Sequence, residues 1–369
     1  MSEFSASDSE FMAQALRLAG RGEYGAHPNP MVGCVLVRDD KIIGEGWHKH
    51  CGEAHAEVNA LSAAADASGA TAYVTLEPCA HHGKTPPCTD ALIAAGVTDV
   101  VCAMQDPFGE GGGQGVAALE KAGIKVRSGL MSTEAEQLNV GFLRRVRHGR
   151  PYVRAKIAAS LDGAIAMRNG QSQWITGPAA RSDVQRLRAK AGAIMSGIGT
   201  VLADDPSFNV RDESINMAGK QPLRVVLDST LRMPLSSAML CLPGKTLVYC
   251  ADDSGRGELE EAGAEVVKMP GDESSVNIAA VLDDLGAREI NNLLVEAGPA
   301  LAGSLIAADL VDELVIYQAP HIMGSETISM FLTPAWTDLT DRRTLEFTDV
   351  RRVGGDTRIT ARINSAEQN

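Results

Sequence analysis

Aromatic residues are scarce, 4% of the 369 residues, so any hydrophobic core must rest on Ala, Val, Leu and Ile. No apolar run approaches the ~20 residues needed to span a bilayer. The first ten residues are polar and acidic, without the basic end and apolar stretch of a secretory signal. Lys and Arg, 34 in all, are outnumbered by 47 Asp and Glu, and the net charge of −13 argues against a general binder of nucleic acid or anionic membrane. The seven cysteines are an odd number in a chain with no export signal. A reducing cytoplasm is therefore expected, with any special cysteine metal-bound or reactive rather than in a disulfide. What remains is ordinary globular composition, 44% hydrophobic and 22% charged. At roughly 150 residues per domain, the length suits two domains.

Rare residues mark where the chain divides. Seven of the eight histidines (27, 48, 50, 55, 81, 82 and 148) and five of the seven cysteines (34, 51, 79, 88 and 102) precede residue 150. The basic stretch Arg144-Arg145-Val146-Arg147-His148-Gly149-Arg150-Pro151 falls at that shift and ends in helix breakers. The expected domains are 1–148 and 149–369. The first opens with Ser7-x-x-Glu10, a capping-box pattern, ahead of Phe11, Met12, Ala15, Leu16 and Ala19 at helical spacing. Strands are expected at 32–37, 41–47, 72–76, 100–104 and 124–127, and helices at 55–65, 90–95 and 116–122. In the second domain strands are expected at 152–157, 193–195, 224–227, 246–249, 265–268, 292–295 and 313–317, with helices at 178–190, 275–285 and 299–307. Both patterns are α/β.

One cluster carries recognisable chemistry. His55-Ala56-Glu57 opens a predicted helix, Pro78-Cys79 follows a strand, and Cys88 comes after an eight-residue interval. One imidazole and two thiolates suit tetrahedral zinc with a fourth position left for water. Bound zinc brings that water's pKa to near 7, and a neighbouring carboxylate, Glu57, can carry protons from it to a leaving amine. The order His-x-Glu then Pro-Cys is the zinc-deaminase signature, although there the cysteines are separated by two residues. His81 and His82 compete as ligands but lie inside the cysteine-to-cysteine loop. In the second domain the local signals are weaker. Gly197-x-Gly199-Thr200 follows a short strand, and Val295-Glu296-Ala297-Gly298-Pro299 runs from a strand into a helix whose free N–H groups suit a phosphate. No Gly-x-Gly-x-x-Gly fingerprint follows that domain's first strand.

The set His27-Pro28-Asn29-Pro30-x-Val32-Gly33, Gly46-x-His48, His55-Ala56-Glu57 and Glu77-Pro78-Cys79-x8-Cys88 resembles the deaminase half of the bifunctional riboflavin-biosynthesis deaminase–reductase family, where the long cysteine spacing is normal. The resemblance implies zinc on His55, Cys79 and Cys88, Glu57 as proton shuttle, and Asn29, His48 and Lys84 lining the substrate pocket. Asn29 is suited to read a pyrimidine edge, and Lys84 and His48 to neutralise a phosphate. The match continues through Lys156-Ile157-Ala158-x-Ser160-Leu161-Asp162-Gly163, Ser172-Gln173-Trp174-Ile175-Thr176, Gly197-x-Gly199-Thr200, Asp204-x-Pro206, Asp228-Ser229 and Glu296-x-Gly298. These look like the family's reductase domain. The implied fold is an N-terminal cytidine-deaminase-like α/β/α domain followed by a dihydrofolate-reductase-like α/β domain. The implied NADPH contacts are Ala158, Trp174, Thr200, Asp204, Ser229 and the run Gly298, Pro299, Ala300, Leu301, Ala302, Gly303 and Ser304. Substrate would meet Lys156, Ser172, Arg188, Arg211 and Glu296, the arginines being the natural phosphate clamp. Ala297 departs from the pattern, since many relatives carry a glycine there, and its methyl group would crowd the cofactor.

The resemblance thus implies two consecutive reactions: zinc-dependent deamination of a diaminopyrimidinone bearing a ribosylamino 5-phosphate, then NADPH-dependent reduction of the ribosyl group to ribityl. The expected partners are that phosphorylated pyrimidine and further copies of the chain, with no nucleic acid and no membrane. Two rival readings are weaker. A nucleic-acid-editing deaminase is opposed by the acidic charge and the long cysteine interval, and a structural zinc scaffold has no use for Glu57.

Overall fold

The computed structural model describes residues 4–81, 86–108 and 112–364. The chain forms two compact units, Met1–Gly149 and Arg150–Asn369. Lys84 and His82 lie outside the described residues.

The first unit runs α1 (Ala6–Gly20), β1 (Gly33–Arg38), β2 (Lys41–Trp47), α2 (Ala56–Ala63), β3 (Thr71–Val74), α3 (Cys88–Ala94), β4 (Asp99–Cys102), α4 (Gln114–Lys121), β5 (Lys125–Ser128), α5 (Ser132–Leu138) and α6 (Val140–His148). Its sheet has the order β2-β1-β3-β4-β5. β1 is antiparallel to both β2 and β3, and the β3-β4-β5 side is parallel. Alternation along the strands sorts residues to two faces. Val35, Val37, Tyr73 and Val101 meet Met12, Ala15 and Leu18 of α1 and Phe142 and Leu143 of α6. Cys34, Leu36, Ala72, Val74 and Val100 meet Ala56 and Ala60 of α2, Leu92 of α3 and Leu119 of α4. The result is an α/β/α sandwich. The capping box of α1 is formed by Ser5 and Asp8, two residues before the expected Ser7-x-x-Glu10 pair. Asp8 wins because its buried carboxylate also accepts from the Tyr73 hydroxyl at 2.6 Å and from Arg127 at 3.1 Å. Gly46 sets the position of α2: a Cβ there would stand 2.3 Å from the Ala60 nitrogen, so only glycine lets the helix lie directly on β2.

The second unit runs β6 (Tyr152–Ser160), β7 (Ala164–Met167), α7 (Pro178–Lys190), β8 (Ala193–Gly197), α8 (Ile198–Asp204), β9 (Leu223–Leu227), α9 (Ala238–Cys241), β10 (Thr246–Cys250), α10 (Arg256–Glu261), β11 (Ala264–Lys268), α11 (Ile278–Ala287), β12 (Asn292–Val295), α12 (Pro299–Ala307), β13 (Glu313–Ala319), β14 (Thr327–Ser329), β15 (Leu345–Val353) and β16 (Asp356–Ile363). The main sheet has the order β11-β10-β9-β8-β12-β6-β13-β16-β15, and β7 pairs with β14 apart from it. From β11 to β13 all neighbours are parallel; β16 and β15 are added antiparallel. Val281, Leu282 and Leu285 of α11 and Leu305 and Ile306 of α12 cover one face. Ala180, Val184 and Leu187 of α7, Ile198 and Val201 of α8, and Leu259 of α10 cover the other. β12 is inserted between β8 and β6, and such a break in strand order opens a crevice at the carboxyl ends of the strands.

Candidate active sites

In the first unit three elements deliver soft metal donors to one point. His55 is the N-cap residue of α2, Cys79 lies on the segment after β3, and Cys88 opens α3. Their donor atoms all lie within 4.8 Å of one another, with His55 Nδ1 3.6 Å from Cys79 Sγ and 3.3 Å from Cys88 Sγ. Zinc bonds of ~2.0–2.3 Å in a tetrahedron place donors about 3.5 Å apart, so the set fits the ion. The Cys88 backbone N–H, at the start of α3, donates to Cys79 Sγ at 3.3 Å. Hydrogen bonding from Cys88, joined by His55, holds the Cys79 thiol well below its usual range, which suits it to bind a metal as thiolate. Glu57, the second residue of α2, is buried, and its Oε2 has no hydrogen-bond partner among the described residues. Burial pushes its carboxyl up to about 7. A buried oxygen left free beside a three-ligand metal site is suited to a metal-bound water. His81 is exposed and stands outside the donor set.

Two of the three expected pocket residues meet at this centre. Asn29 Nδ2 lies 3.1 Å from His48 Nε2, and the His48 and His55 rings stand edge to face at 5.3 Å. His48 differs from its expected role as a cation. It is buried, burial lowers its pKa, and its Nδ1 donates to the Ala54 carbonyl at 3.2 Å. It is therefore a neutral hydrogen-bonding group at neutral pH, with Nε2 left to accept from Asn29.

The second unit holds a cavity of about 1250 Å³ at the carboxyl ends of β6, β8, β9 and β12. Its lining includes Lys156, Ala158, Ser172, Trp174, Arg188, Thr200, Asp204, Arg211, Ser229 and Glu296, and the turn Gly298, Pro299, Ala300 and Leu301. That volume exceeds the ~300–1,000 Å³ usual for one ligand, so two molecules fit side by side. At one end Glu296 accepts a fork from Arg188, Nε to Oε1 at 2.6 Å and Nη2 to Oε2 at 3.0 Å, with Lys156 Nζ 4.0 Å away. Burial alone would raise the Glu296 carboxyl, but the charges of Arg188 and Lys156 outweigh it and hold the group below its usual range. Arg188 also donates to the Asn209 carbonyl at 3.2 Å. Much of its hydrogen-bonding capacity is thus engaged inside the protein, and Arg211, which is exposed and donates to Ser207, is the freer cation. Opposite, Thr200 Oγ1 accepts from the Gly298 N–H at 3.2 Å and ties the start of α8 to the start of α12. Pro299 is the first helical residue of α12. Trp174, on the segment before α7, is 69% exposed with the Arg181 guanidinium 4.6 Å from its ring centre.

Two families match the chain in the order of the two units: the cytidine and deoxycytidylate deaminase zinc-binding region over residues 5–104 and the RibD C-terminal domain over 151–359. The riboflavin biosynthesis protein RibD of Escherichia coli is 48% identical over 95% of this chain and 97% of its own. The chain belongs to the RibD family. The solved structure of Acinetobacter baumannii RibD, form 1, superposes with a TM-score of 0.91 at 42% identity, covering 97% of this chain and 99% of that one. A Thermotoga maritima protein described as a diaminohydroxyphosphoribosylaminopyrimidine deaminase/5-amino-6-(5-phosphoribosylamino)uracil reductase gives 0.84 at 32% identity, covering 97% and 99%. As a RibD-family member the chain is a bifunctional deaminase–reductase of riboflavin biosynthesis, with zinc and NADPH as its cofactors. No helix among the described residues is long and apolar enough to cross a membrane.

Against this RibD framework, three residues of the expected cofactor run fall away from the cavity. Ala302 is buried against Ile157 and Ala159. Gly303 lets α12 pass against the backbone of Leu332, whose carbonyl oxygen would stand 1.9 Å from a Cβ. Ser304 is exposed on the outer side of α12. Only the first turn of α12, through Leu301, lines the cavity. Ala297 packs against the core and lines the cavity, so its methyl group faces the space expected to hold the cofactor. Sequence reasoning missed Glu77. Its buried carboxylate accepts the N–H groups of Asp106 at 3.1 Å, Gly113 at 3.0 Å, Gly115 at 2.8 Å and Val116 at 3.1 Å, fixing the turn that carries Cys79. The signal was present in Glu77-Pro78-Cys79, an acidic residue between β3 and the metal-ligand cysteine.

Proposed function

We propose that the chain converts 2,5-diamino-6-(5-phosphoribosylamino)pyrimidin-4(3H)-one in two steps, working as a homo-oligomer in the cytoplasm. In the first unit His55, Cys79 and Cys88 hold zinc, which when bound supplies an acidified water. Glu57 takes a proton from that water and returns it to the amine at ring position 2, which leaves as ammonia while the water's oxygen stays on the ring. Asn29, oriented by neutral His48, reads the pyrimidine edge, and the positive charge of a lysine such as Lys84 is suited to the substrate's phosphate. In the second unit NADPH supplies the hydride that turns the ribosyl group into ribityl. Ala158, Trp174, Thr200, Asp204, Ser229 and the first turn of α12 would hold the dinucleotide. Ser172, Lys156, Arg211 and the Arg188–Glu296 pair hold the pyrimidine and its phosphate, whose charge the cluster's excess of cations balances. None of the seven cysteines is in a disulfide, which supports a reducing compartment.

The observation that carries the reading is the free, buried Glu57 oxygen beside the His55, Cys79 and Cys88 donors. The test is a two-stage assay on the purified chain: ammonia release from the diaminopyrimidinone, followed by NADPH oxidation in the same tube. We expect ammonia and oxidised cofactor in equal amounts, with about one zinc per chain. Ammonia release with no dependence on bound zinc would defeat the assignment.

A further inference from the structure

Glu77 is almost fully buried, and burying a carboxylate is costly unless hydrogen bonds replace its water. Backbone N–H groups do so here, two on each oxygen. Oε2 accepts from Asp106 and Gly113, and Oε1 from Gly115 and Val116. Gly113 is the N-cap residue of α4, and Gly115 and Val116 lie in its first turn. The carboxylate therefore caps α4, taking N–H groups that have no partner within the helix. α4 is itself fixed, with Leu119 fully buried in the core beneath it.

A second contact joins the same two segments. A Cβ at Gly115 would stand 2.0 Å from the Pro78 carbonyl oxygen and 3.1 Å from Glu77 Cγ, so the absence of a side chain is what lets them meet. Glu77 and Pro78, the two residues before Cys79, are thus both seated on the first turn of α4. The other side of Cys79 is seated on α3. Its carbonyl accepts from the Thr89 N–H at 3.2 Å and the Thr89 hydroxyl at 3.3 Å, and its Sγ from the Cys88 N–H. Cys79 is gripped between two helix starts, while His55 comes from a third helix. A metal site tolerates errors of only ~0.2 Å in its ligand distances, so this grip bears on the ion.

We propose that Glu77 and Gly115 are positioning residues for zinc: they hold Cys79 where His55 and Cys88 can share the ion with it, and so slow its loss. The inference rests on, and deepens, the assignment of zinc to those three residues. Glu77 and Gly115 supply no ligand atom and act through the backbone at Pro78. They do so by different physics, which allows two independent perturbations. Glu77→Gln keeps the size of the side chain, but its amide has one acceptor oxygen, and its NH2 must face two N–H donors. Gly115→Ala removes no hydrogen-bonding group and changes no charge, yet its methyl group drives Pro78 away from α4.

The test follows zinc release from the full-length, zinc-loaded chain to an excess of chelator. Both variants should release zinc ~10–100-fold faster than the wild type, the scale of an outer support to a metal ligand. With cobalt(II) in place of zinc, the visible absorption bands, which report ligand geometry, should shift in both. Tyr73→Phe is the control for stability alone, because it removes the bond to Asp8 on the opposite face of the sheet. It should lower the melting temperature and leave zinc release unchanged. Release at the wild-type rate and an unshifted cobalt spectrum in both variants would overturn the inference while the zinc assignment stands. Equal acceleration in Tyr73→Phe would also overturn it, since the effect would then track stability. If Cys79→Ser retains zinc in full, the ligand assignment fails and the inference falls with it.

Discussion

The deaminase centre and the reductase cavity place chemistry in opposite ways. In the first unit three metal donors lie within 4.8 Å of one another, beside a buried carboxylate with a free oxygen. In the second, about 1250 Å³ is lined largely by small residues, strand ends and the first turn of one helix, with the charged groups gathered around Glu296. The difference follows from the reactions. Hydrolysis of an amine needs a particular acid–base group and a Lewis acid at the reacting atom. Hydride transfer brings its chemistry in the cofactor and asks the protein chiefly for position. Single substitutions should therefore be severe in the first centre and graded in the second.

The largest effect is expected at the metal. Cys79→Ser and Cys88→Ser should each lose zinc and abolish ammonia release while leaving NADPH oxidation on the supplied deaminated substrate near the wild-type rate. Metal analysis of the purified variants checks this; full zinc occupancy would mean that the ligands are wrongly assigned. A smaller effect is expected at Arg188. Arg188→Lys keeps the charge beside Glu296 but loses the two-pronged contact, so KM for the pyrimidine in reduction should rise ~10–100-fold, the scale of one charged hydrogen bond. Deamination should not change. Lysine is the better test here, because Arg188→Ala would leave Glu296 buried with a weaker partner, at a stability cost of ~3–5 kcal/mol. The smallest effect is expected at Ser304, whose side chain points into solvent: Ser304→Ala should alter NADPH affinity by less than about twofold. A tenfold loss would mean that more of α12 meets the cofactor than its first turn.

The same contrast explains what could be read from the residues. His55, Glu57, Cys79 and Cys88 were legible because zinc hydrolysis demands those side chains in that order. Thr200 and the Gly298 turn carried little signal of their own, because backbone geometry selects glycine and small residues in many turns. Family resemblance alone gave them weight. It also carried the cofactor run into Ala302, Gly303 and Ser304, which lie beyond the part of α12 that lines the cavity, because a contiguous stretch of sequence ignores the rotation of a helix. His48 was read as a cation because sequence does not show burial. In the fold, the long strands and helices matched expectation within a few residues, as at 178–190 and 292–295. Short elements such as α8, and the hairpin β15–β16, were missed. In β15 the irregularity between Phe347 and Asp349 interrupts the period-two alternation, so the sequence pattern does not read as a strand.

The central claim is that one chain holds two independent centres, and Glu57→Gln tests it most directly. The amide keeps the size of the side chain and can hydrogen-bond, yet cannot cycle a proton. The variant should retain about one zinc per chain and release ammonia at least ~10²-fold more slowly, the usual contribution of a general acid–base group. Given the already deaminated pyrimidine and NADPH, it should carry out reduction at the wild-type rate. Loss of both activities in a folded, zinc-loaded variant would contradict the account.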